Sequence, residues 1–188
     1  HRLEGMWHAG SPMAMILNSM KGILILTPRN MVQAAGMYNT LLSCSDPALI
    51  IEPLNAYRLK EKEPQNLGEF NVPLGKVEFL KNGNDLTMVS YGSTLKLAEK
   101  AVIELSKHDI DVELIDLQTL IPIDLNKDVL KSLKKTNKII VVDEDYPGGA
   151  SSHILKVVLE DHDGYEFLDS KPVTLTAKEH KPPYGSDG

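Results

Sequence analysis

The stretch Leu86-Thr87-Met88-Val89-Ser90-Tyr91-Gly92-Ser93 decides the fold, because a strand pattern ends in it where a helix pattern begins. The first five residues form a short, mostly apolar run of the kind that predicts a strand. After Ser93, apolar residues recur at helical spacing and predict one buried face of a helix: Leu95, Ala98, Val102 and Leu105. Together these residues form one strand and helix unit.

The same alternation continues toward the end of the chain. Further strands are predicted at 112–117, 139–142 and 173–176, with helices after Asp124 and after Gly148-Gly149. Four strands separated by three helices predict a mainly parallel open sheet covered by helices on both faces. Ligands of such sheets meet the carboxyl ends of the strands. We therefore expect residues 90–93, 117–122 and 143–149 to cluster at that edge.

Upstream of this unit the pattern predicts a second, smaller one. Residues 23–26 and 48–51 are apolar runs that suit buried strands, and Asn30 can cap the helix between them. Strand, helix, strand is a parallel unit. A short helix is predicted after Ser11-Pro12.

The two predicted units are joined by a charged, proline-bearing stretch with no periodicity, which we interpret as a linker. Directly after it, residues 76–80 are predicted to form a hairpin with 86–90 through a turn at Asn82-Gly83.

Composition excludes several classes of function. The chain has 188 residues and a formal net charge of -6, so no long-range attraction draws it to nucleic acid or to an anionic membrane. The single cysteine, Cys44, excludes an internal disulfide framework and indicates a reducing compartment, which we take to be the cytoplasm. No signal peptide or membrane-spanning run is recognisable. Because the chain begins at His1 inside a chemistry-rich stretch, we expect it to continue a larger protein.

The opening residues 1–13 carry the densest chemistry, and His8 is the candidate catalytic residue among them. A histidine in a glycine-flanked loop before a helix can donate to a developing oxyanion or carry a proton near neutral pH. Two other interpretations stay open, namely a histidine bonded only to backbone and a frayed chain end. His108, His153 and His162 are predicted to be surface residues.

Two further motifs favour structure over chemistry. Gly148-Gly149 before a helix favours a tight turn, because the phosphate-binding glycine and lysine patterns are missing. Asp143-Glu144-Asp145 lacks the spacing of a calcium loop and favours helix-start electrostatics or an interface. No spacing of His, Cys or Asp indicates a zinc site, so no metal ligand is predicted.

The ordered succession of motifs resembles the beta subunit of the thiamine-diphosphate-dependent 2-oxoacid dehydrogenases, of pyruvate or branched-chain type, and in particular the bacterial form in which alpha and beta halves are fused. The resemblance covers essentially the whole chain. It is carried by His8, Ser11-Pro12, Gly22, Pro28, Asp46-Pro47, Glu52-Pro53, Tyr57-Arg58, Pro73-Leu74-Gly75-Lys76, Tyr91-Gly92, residues 112–117 with Thr119 and Pro122, Lys135-Thr136, Gly148-Gly149 and Pro183-Tyr184.

The resemblance implies a transketolase-like architecture. Residues 1–58 would be the C-terminal half of a pyrimidine-binding domain, 59–72 a linker, and 73–188 a transketolase C-terminal domain truncated at its end. The full enzyme would decarboxylate a 2-oxoacid oxidatively on thiamine diphosphate with magnesium and transfer the acyl group to lipoyl-lysine. His8 matches the family histidine that assists this transfer.

The resemblance implies that the residues that bind the cofactor lie outside this chain and that the enzyme acts together with other proteins. The glutamate that activates the cofactor would lie upstream of His1 and the diphosphate site in the alpha part, so no cofactor-binding residue is expected here and the fragment alone should be inactive. The implied partners are the alpha subunit or half, the lipoyl-bearing acyltransferase, and further copies in an oligomer.

Two departures and two alternatives accompany the resemblance. The chain has His8-Ala9-Gly10-Ser11 where the family often has His-Ser-Gln-Ser, and Cys44-Ser45-Asp46-Pro47 lacks the family's monovalent-cation motif, so that site is not carried over. One alternative is that the portion from Pro73 serves mainly as a dimerisation and acyltransferase-docking module. The other is a different thiamine enzyme, such as a transketolase.

Overall fold

A computed structural model describes residues 10–179. Its helices are α1 (Met13–Ser19), α2 (Met31–Leu42), α3 (Leu95–Ser106), α4 (Asp128–Thr136) and α5 (Ala150–Leu155), the last continuing as a π-helical segment, Lys156–Asp161. Its strands are β1 (Leu24–Leu26), β2 (Ala48–Ile50), β3 (Glu78–Lys81), β4 (Leu86–Ser90), β5 (Val112–Asp116), β6 (Thr119–Ile121), β7 (Ile139–Val142) and β8 (Val173–Leu175). Within the described range no helix has the length and apolar character that crossing a membrane requires.

The larger of two sheets has five strands in the order β3-β5-β4-β7-β8. β5, β4, β7 and β8 run parallel, which confirms the predicted parallel sheet, and β3 joins the edge antiparallel to β5. The predicted hairpin is wrong, because β5 lies between β3 and β4. The chain after β3 instead crosses the start of β5 so closely that a Cβ on Gly83 would lie 2.2 Å from the carbonyl carbon of Val112.

Helices cover both faces of this sheet, as predicted. On one face Leu95, Ala98 and Val102 of α3 pack against buried side chains of β4 and β5. On the other face α4 and α5 contribute Val129 and Ile154 to the main core. Strands covered on both faces lose apolar surface to two layers at once, which explains why all five residues of β5 are buried.

The smaller sheet has three strands in the order β2-β1-β6. β1 and β2 are parallel and joined by α2, and Asn30 Oδ1 accepts a 2.8 Å hydrogen bond from the backbone N–H of Gln33, as its predicted capping role requires. The prediction that β2 is buried on both faces is wrong: β2 lies at the sheet edge, and Ala48 is exposed. The pairing of β6 with β1 was not predicted.

The segment 59–72 packs on α2. Glu61 Oε2 accepts hydrogen bonds from the backbone N–H groups of Met31 at 3.0 Å and Val32 at 3.2 Å, two of the donors that a helix start leaves without partners. Phe70 packs against the small core beneath the same helix. This segment therefore holds α2 as well as connecting the two sheets.

Candidate functional site

A cavity of about 350 Å³ opens where the carboxyl ends of strands from both sheets meet. One wall comes from the loop that leads into α1, and the others come from the residues after β1, β2, β4 and β7. Its lining is Gly10 to Met13, Ile16, Thr27, Leu49 to Pro53, Tyr91 to Ser93, Glu144 and Asp145. Two of the three segments predicted to cluster at this edge, 90–93 and 143–149, therefore contribute to it.

His8 lies outside the described residues, so its catalytic role stays a prediction. The described chain begins two residues later, at Gly10, which lines the cavity together with Ser11 and Pro12. The loop that follows His8 thus forms part of the cavity wall.

Glu52 is a fixed carboxylate at the carboxyl end of β2. The hydroxyl of Tyr38 donates to its Oε1 at 2.9 Å, and the hydroxyl of Tyr57 donates to its Oε2. These hydrogen bonds to Glu52 raise the pKa of both tyrosine hydroxyls. Because Tyr38 lies on α2 and Tyr57 in the 3₁₀ turn after β2, two separate elements orient one carboxylate of the cavity.

Asp143 organises the turn after β7. Its Oδ1 accepts hydrogen bonds from the Tyr91 hydroxyl at 2.6 Å and from the backbone N–H of Asp145 at 3.0 Å, and its Oδ2 accepts from the Ser151 N–H at 2.8 Å. The last contact confirms the predicted helix-start role of this carboxylate. Burial raises the pKa of Tyr91 far above its ordinary value, and the Asp143 charge adds to the effect. At this depth the Tyr91 hydroxyl remains a hydrogen-bond donor.

The described lining of the cavity carries three carboxylates, Glu52, Glu144 and Asp145, and no lysine, arginine or histidine. A diphosphate requires cationic groups or a metal ion, and no metal-binding group of His, Cys, Asp or Glu occurs in residues 10–179. These residues therefore do not fit a diphosphate. Most of the remaining lining is apolar.

The histidines outside the N-terminal loop differ in their surroundings. His108 is exposed, as predicted. His153 is half-buried, with its Nε2 3.0 Å from the carbonyl oxygen of Leu120. The prediction that His162 is a surface residue is wrong: it follows the π-helical segment directly and is 9% exposed, and its Nδ1 lies 3.9 Å from Asp124 Oδ2.

Sequence reasoning missed a polar clasp between the two sheets. Arg29, just after β1, places its Nη1 2.7 Å from both Asp116 Oδ2 and Glu78 Oε2. Gln33 Nε2 adds a 3.0 Å hydrogen bond to Asp116, which is fully buried. Burial raises the pKa of Asp116, although the Gln33 and Arg29 hydrogen bonds oppose the shift. The signal available in the sequence was Arg29, a charged residue shortly after the apolar strand β1.

The chain matches a known family over residues 75–187, the transketolase C-terminal domain. It belongs to that family. The match spans the five-stranded sheet and its helices, so the transketolase C-terminal fold is the architecture that carries β4, β7 and the acidic turn at the cavity.

Curated relatives of this transketolase C-terminal domain protein include beta subunits of 2-oxoacid dehydrogenases. It is 31% identical over 176 residues to the pyruvate dehydrogenase E1 component subunit beta of Acholeplasma laidlawii, covering 93% of this chain and 52% of the relative. It is 33% identical over 175 residues to the mitochondrial 2-oxoisovalerate dehydrogenase subunit beta of Chaetomium thermophilum, covering 92% and 36%. The resemblance noted from the sequence is confirmed, and the chain spans about half or less of these relatives' length.

Among solved structures, a split-gene transketolase described as an inactive beta4 tetramer superposes with a TM-score of 0.70 at 19% identity. The match covers 92% of this chain and 54% of that one. At this identity the likeness concerns the fold alone, which it confirms.

Proposed function

We propose that this chain is part of the decarboxylating component of a 2-oxoacid dehydrogenase complex. The observation that carries the proposal is the similarity to pyruvate and 2-oxoisovalerate dehydrogenase beta subunits over more than 90% of the chain. In the full protein, residues 1–58 would complete a pyrimidine-binding domain, 59–72 would be the linker and 73–188 the transketolase C-terminal domain. The protein would act in the cytoplasm.

The reaction divides its work between this chain and residues outside it. Thiamine diphosphate with magnesium would supply the decarboxylation and would be held by the alpha part and by residues upstream of His1; the described cavity lining does not fit its diphosphate. In acyl transfer the S–S bond of lipoyl-lysine breaks: one sulfur takes the acyl group and the other takes a proton. The electron pair left on the acyl group when CO₂ departs reduces the disulfide. His8 is the proposed proton donor.

The first test is a substrate panel with the full-length protein, its alpha partner, thiamine diphosphate and magnesium. Pyruvate, 2-oxoisovalerate and 2-oxoglutarate are offered separately, and CO₂ release and acylation of a lipoylated acyltransferase domain are measured. We expect turnover of pyruvate or 2-oxoisovalerate. Absence of turnover with all three acids would reject the proposal.

The second test separates the two half-reactions with His8→Ala. We expect acyl transfer to the lipoyl domain to fall by roughly 10²- to 10⁴-fold, the usual contribution of a positioned acid or base, with a much smaller loss in decarboxylation measured with an artificial electron acceptor. His108→Ala is the matched control, because His108 is exposed just after the C-terminal end of α3 and does not line the cavity. Equal losses in the two half-reactions would remove His8 from this role.

A second candidate function is assembly, with another copy of the chain as the occupant of an apolar surface. Leu97 on α3 is 67% exposed and Leu175 on β8 is 57% exposed, on the two sides of a cavity of about 600 Å³. Such exposed apolar surface is typical of protein interfaces. Leu97→Glu and Leu175→Glu should lower the oligomeric state in sedimentation velocity, whereas Ser106→Glu, at an exposed polar residue of α3 that does not line this cavity, should not.

A transketolase activity on sugar phosphates is the weaker alternative. Phosphate-bearing substrates need cationic side chains around the site, and the described cavity lining offers carboxylates instead. Turnover of a ketose phosphate by the full-length protein would reverse this preference.

A further inference from the structure

We propose that Leu17 is a positioning residue for acyl transfer: by holding α1 on α5 it sets the place of the cavity wall that Gly10, Ser11 and Pro12 form. These three residues follow His8 closely in the sequence, so the inference rests on the proposed function. Leu17 does not belong to the described cavity lining. A core residue would thus control a step of the reaction without touching the substrate.

Helix α1 packs on a helix of the larger sheet, although it precedes the smaller sheet in the sequence. Met13 is 7% and Leu17 is 2% exposed, and both are buried in the same core cluster as Ala150 and Ile154 of α5. The two helices lie in contact. Because Leu17 follows Met13 by four residues, both side chains lie on one face of α1. That buried face attaches α1 to the larger domain.

Local hydrogen bonds give the start of α1 its shape. Ser11 Oγ accepts from the Met13 N–H at 3.3 Å, the Pro12 carbonyl accepts from the Ile16 N–H at 2.9 Å, and Asn18 Nδ2 donates to the Ala14 carbonyl at 2.8 Å. Such bonds make the loop and the helix one unit. Its placement on the rest of the protein depends on the apolar face, so a shift of Leu17 moves Gly10 to Pro12 with it.

Helix α5 is in turn tied to another wall of the cavity. The backbone N–H of Ser151, in its first turn, donates to Asp143 Oδ2 at 2.8 Å, and Asp143 Oδ1 accepts from the Tyr91 hydroxyl at 2.6 Å. Tyr91 lines the cavity itself. The same helix therefore holds two walls of the cavity, one through a carboxylate and the other through apolar packing.

Loosening the apolar packing should displace one wall relative to the other. Truncation of a buried leucine to alanine leaves a void that the surroundings fill only in part. A displacement of about 1 Å in a positioning element can slow a reaction step about a hundredfold. The proposed function assigns decarboxylation to groups outside this chain and acyl transfer to the loop before α1. The two half-reactions should therefore respond differently.

The experiment uses the full-length holoenzyme with its alpha partner. For acylation of a lipoyl domain, kcat and KM are measured, and decarboxylation is followed with an artificial electron acceptor. The variants are Leu17→Ala, the volume-conserving Leu17→Met, and Ile154→Val, a milder change from the α5 side that covers the case in which Leu17→Ala does not fold. Leu133→Ala is the matched control, because Leu133 of α4 is fully buried in the same core and does not line the cavity.

We expect Leu17→Ala to lower kcat for acylation roughly ten- to a hundredfold, with KM and decarboxylation nearly unchanged. Leu17→Met should restore most of the rate, and Ile154→Val should show a smaller loss of the same kind. Leu133→Ala should lower the melting temperature and leave the ratio of the two rates as in the wild type.

Three results would overturn the inference while the proposed function stands. They are an unchanged acylation rate in both Leu17→Ala and Ile154→Val, a proportional loss of both half-reactions in Leu17→Ala, and the same selective loss in Leu133→Ala. Failure of the wild type to decarboxylate any 2-oxoacid would overturn the proposed function and this inference with it.

Discussion

The two sheets of this protein are completed in different ways. The five-stranded sheet draws all its strands from one continuous stretch, 78–175, and all five residues of its strand β5 are buried. The three-stranded sheet takes β1 and β2 from the first part of the chain and β6 from the second, and its edge strand β2 is only partly covered. The smaller sheet therefore depends on the larger one for a strand.

The connection between them is polar where each core is apolar. Arg29 leaves the smaller sheet and forms ion pairs with Asp116 and Glu78 of the larger one. A buried ion pair of this kind adds little net stability compared with apolar packing, yet losing one partner is costly. The junction between the two sheets is therefore specified by the positions of its charged side chains. Single substitutions should affect the junction, the larger sheet and the smaller sheet to different extents.

The largest effect is expected for Arg29→Met, which leaves the Asp116 carboxylate buried without its cation. Removing one member of a buried pair costs about 3–5 kcal/mol of unfolding free energy. Urea unfolding followed by circular dichroism measures the loss. Lys81→Met, which removes the solvent-exposed partner of Asp111, should change stability little. Equal costs for the two variants would show that the junction is no more demanding than the surface.

Gly83→Ala tests the larger sheet alone. The new Cβ would meet backbone atoms of Val112 and Glu113, the closest at 2.2 Å, and the backbone has no rotamer with which to move away. Overpacking of this kind costs about 1–3 kcal/mol. Thermal unfolding of Gly83→Ala and of Gly68→Ala, where no atom lies within 4 Å of the added Cβ, gives the comparison. An unchanged melting temperature for Gly83→Ala would contradict the close crossing over β5.

A smaller loss of stability is expected for Glu61→Gln, in the segment 59–72 that packs on α2 beside the smaller sheet. The variant weakens two hydrogen bonds to the N-terminus of α2 and removes a negative charge from the positive end of the helix dipole, at a cost of about 1 kcal/mol. Hydrogen exchange of the first turn of α2 should rise. Glu63→Gln, two residues along the same segment, is the control, and a matching rise there would count against a specific cap.

The smallest effect expected is a pH dependence of the unfolding free energy that comes from Asp124, just before helix α4 of the larger sheet. Burial raises the pKa of the Asp124 carboxyl, and hydrogen bonds from the Val129 and Asp128 N–H groups oppose the shift only in part. A raised folded-state pKa gives stability that is fully present below the unfolded value of about 3.9 and is lost as the pH rises through the folded value. Asp124→Asn does not titrate there. From pH 4 to 7 the wild type should therefore lose unfolding free energy relative to Asp124→Asn. A difference in unfolding free energy that stays constant over this range would show that the pKa of Asp124 is not raised.

Local patterns predicted the regular elements well. The residues of β4 and the capping role of Asn30 were recognisable because apolar runs and cap chemistry are properties of neighbouring residues. The predicted hairpin failed for the opposite reason: Asn82-Gly83 is a turn signal, but whether β3 pairs with β4 or β5 is decided by packing across the sheet. β6 escaped notice because three residues are too few to show a period.

The candidate site was predictable only in outline. The acidic turn at 143–149 and the loop after β4 could be assigned to one sheet edge from topology alone. The Tyr38 and Tyr57 contacts to Glu52 could not, because they join a helix, a strand end and a 3₁₀ turn through side chains whose direction no sequence period reports.

The pairing of β6 with β1 has a consequence for any attempt to divide this protein. Proteolysis or gene fission within 59–72 would place β1 and β6 on separate polypeptides, each with an unpaired strand edge that favours aggregation. The two β-strands would still be able to pair, so co-expressed halves should reassemble. Their reassembly would form the antiparallel pairing of β1 with β6 again. The segment 59–72, which the sequence pattern predicts to be a linker, can thus be cut only if both pieces stay together.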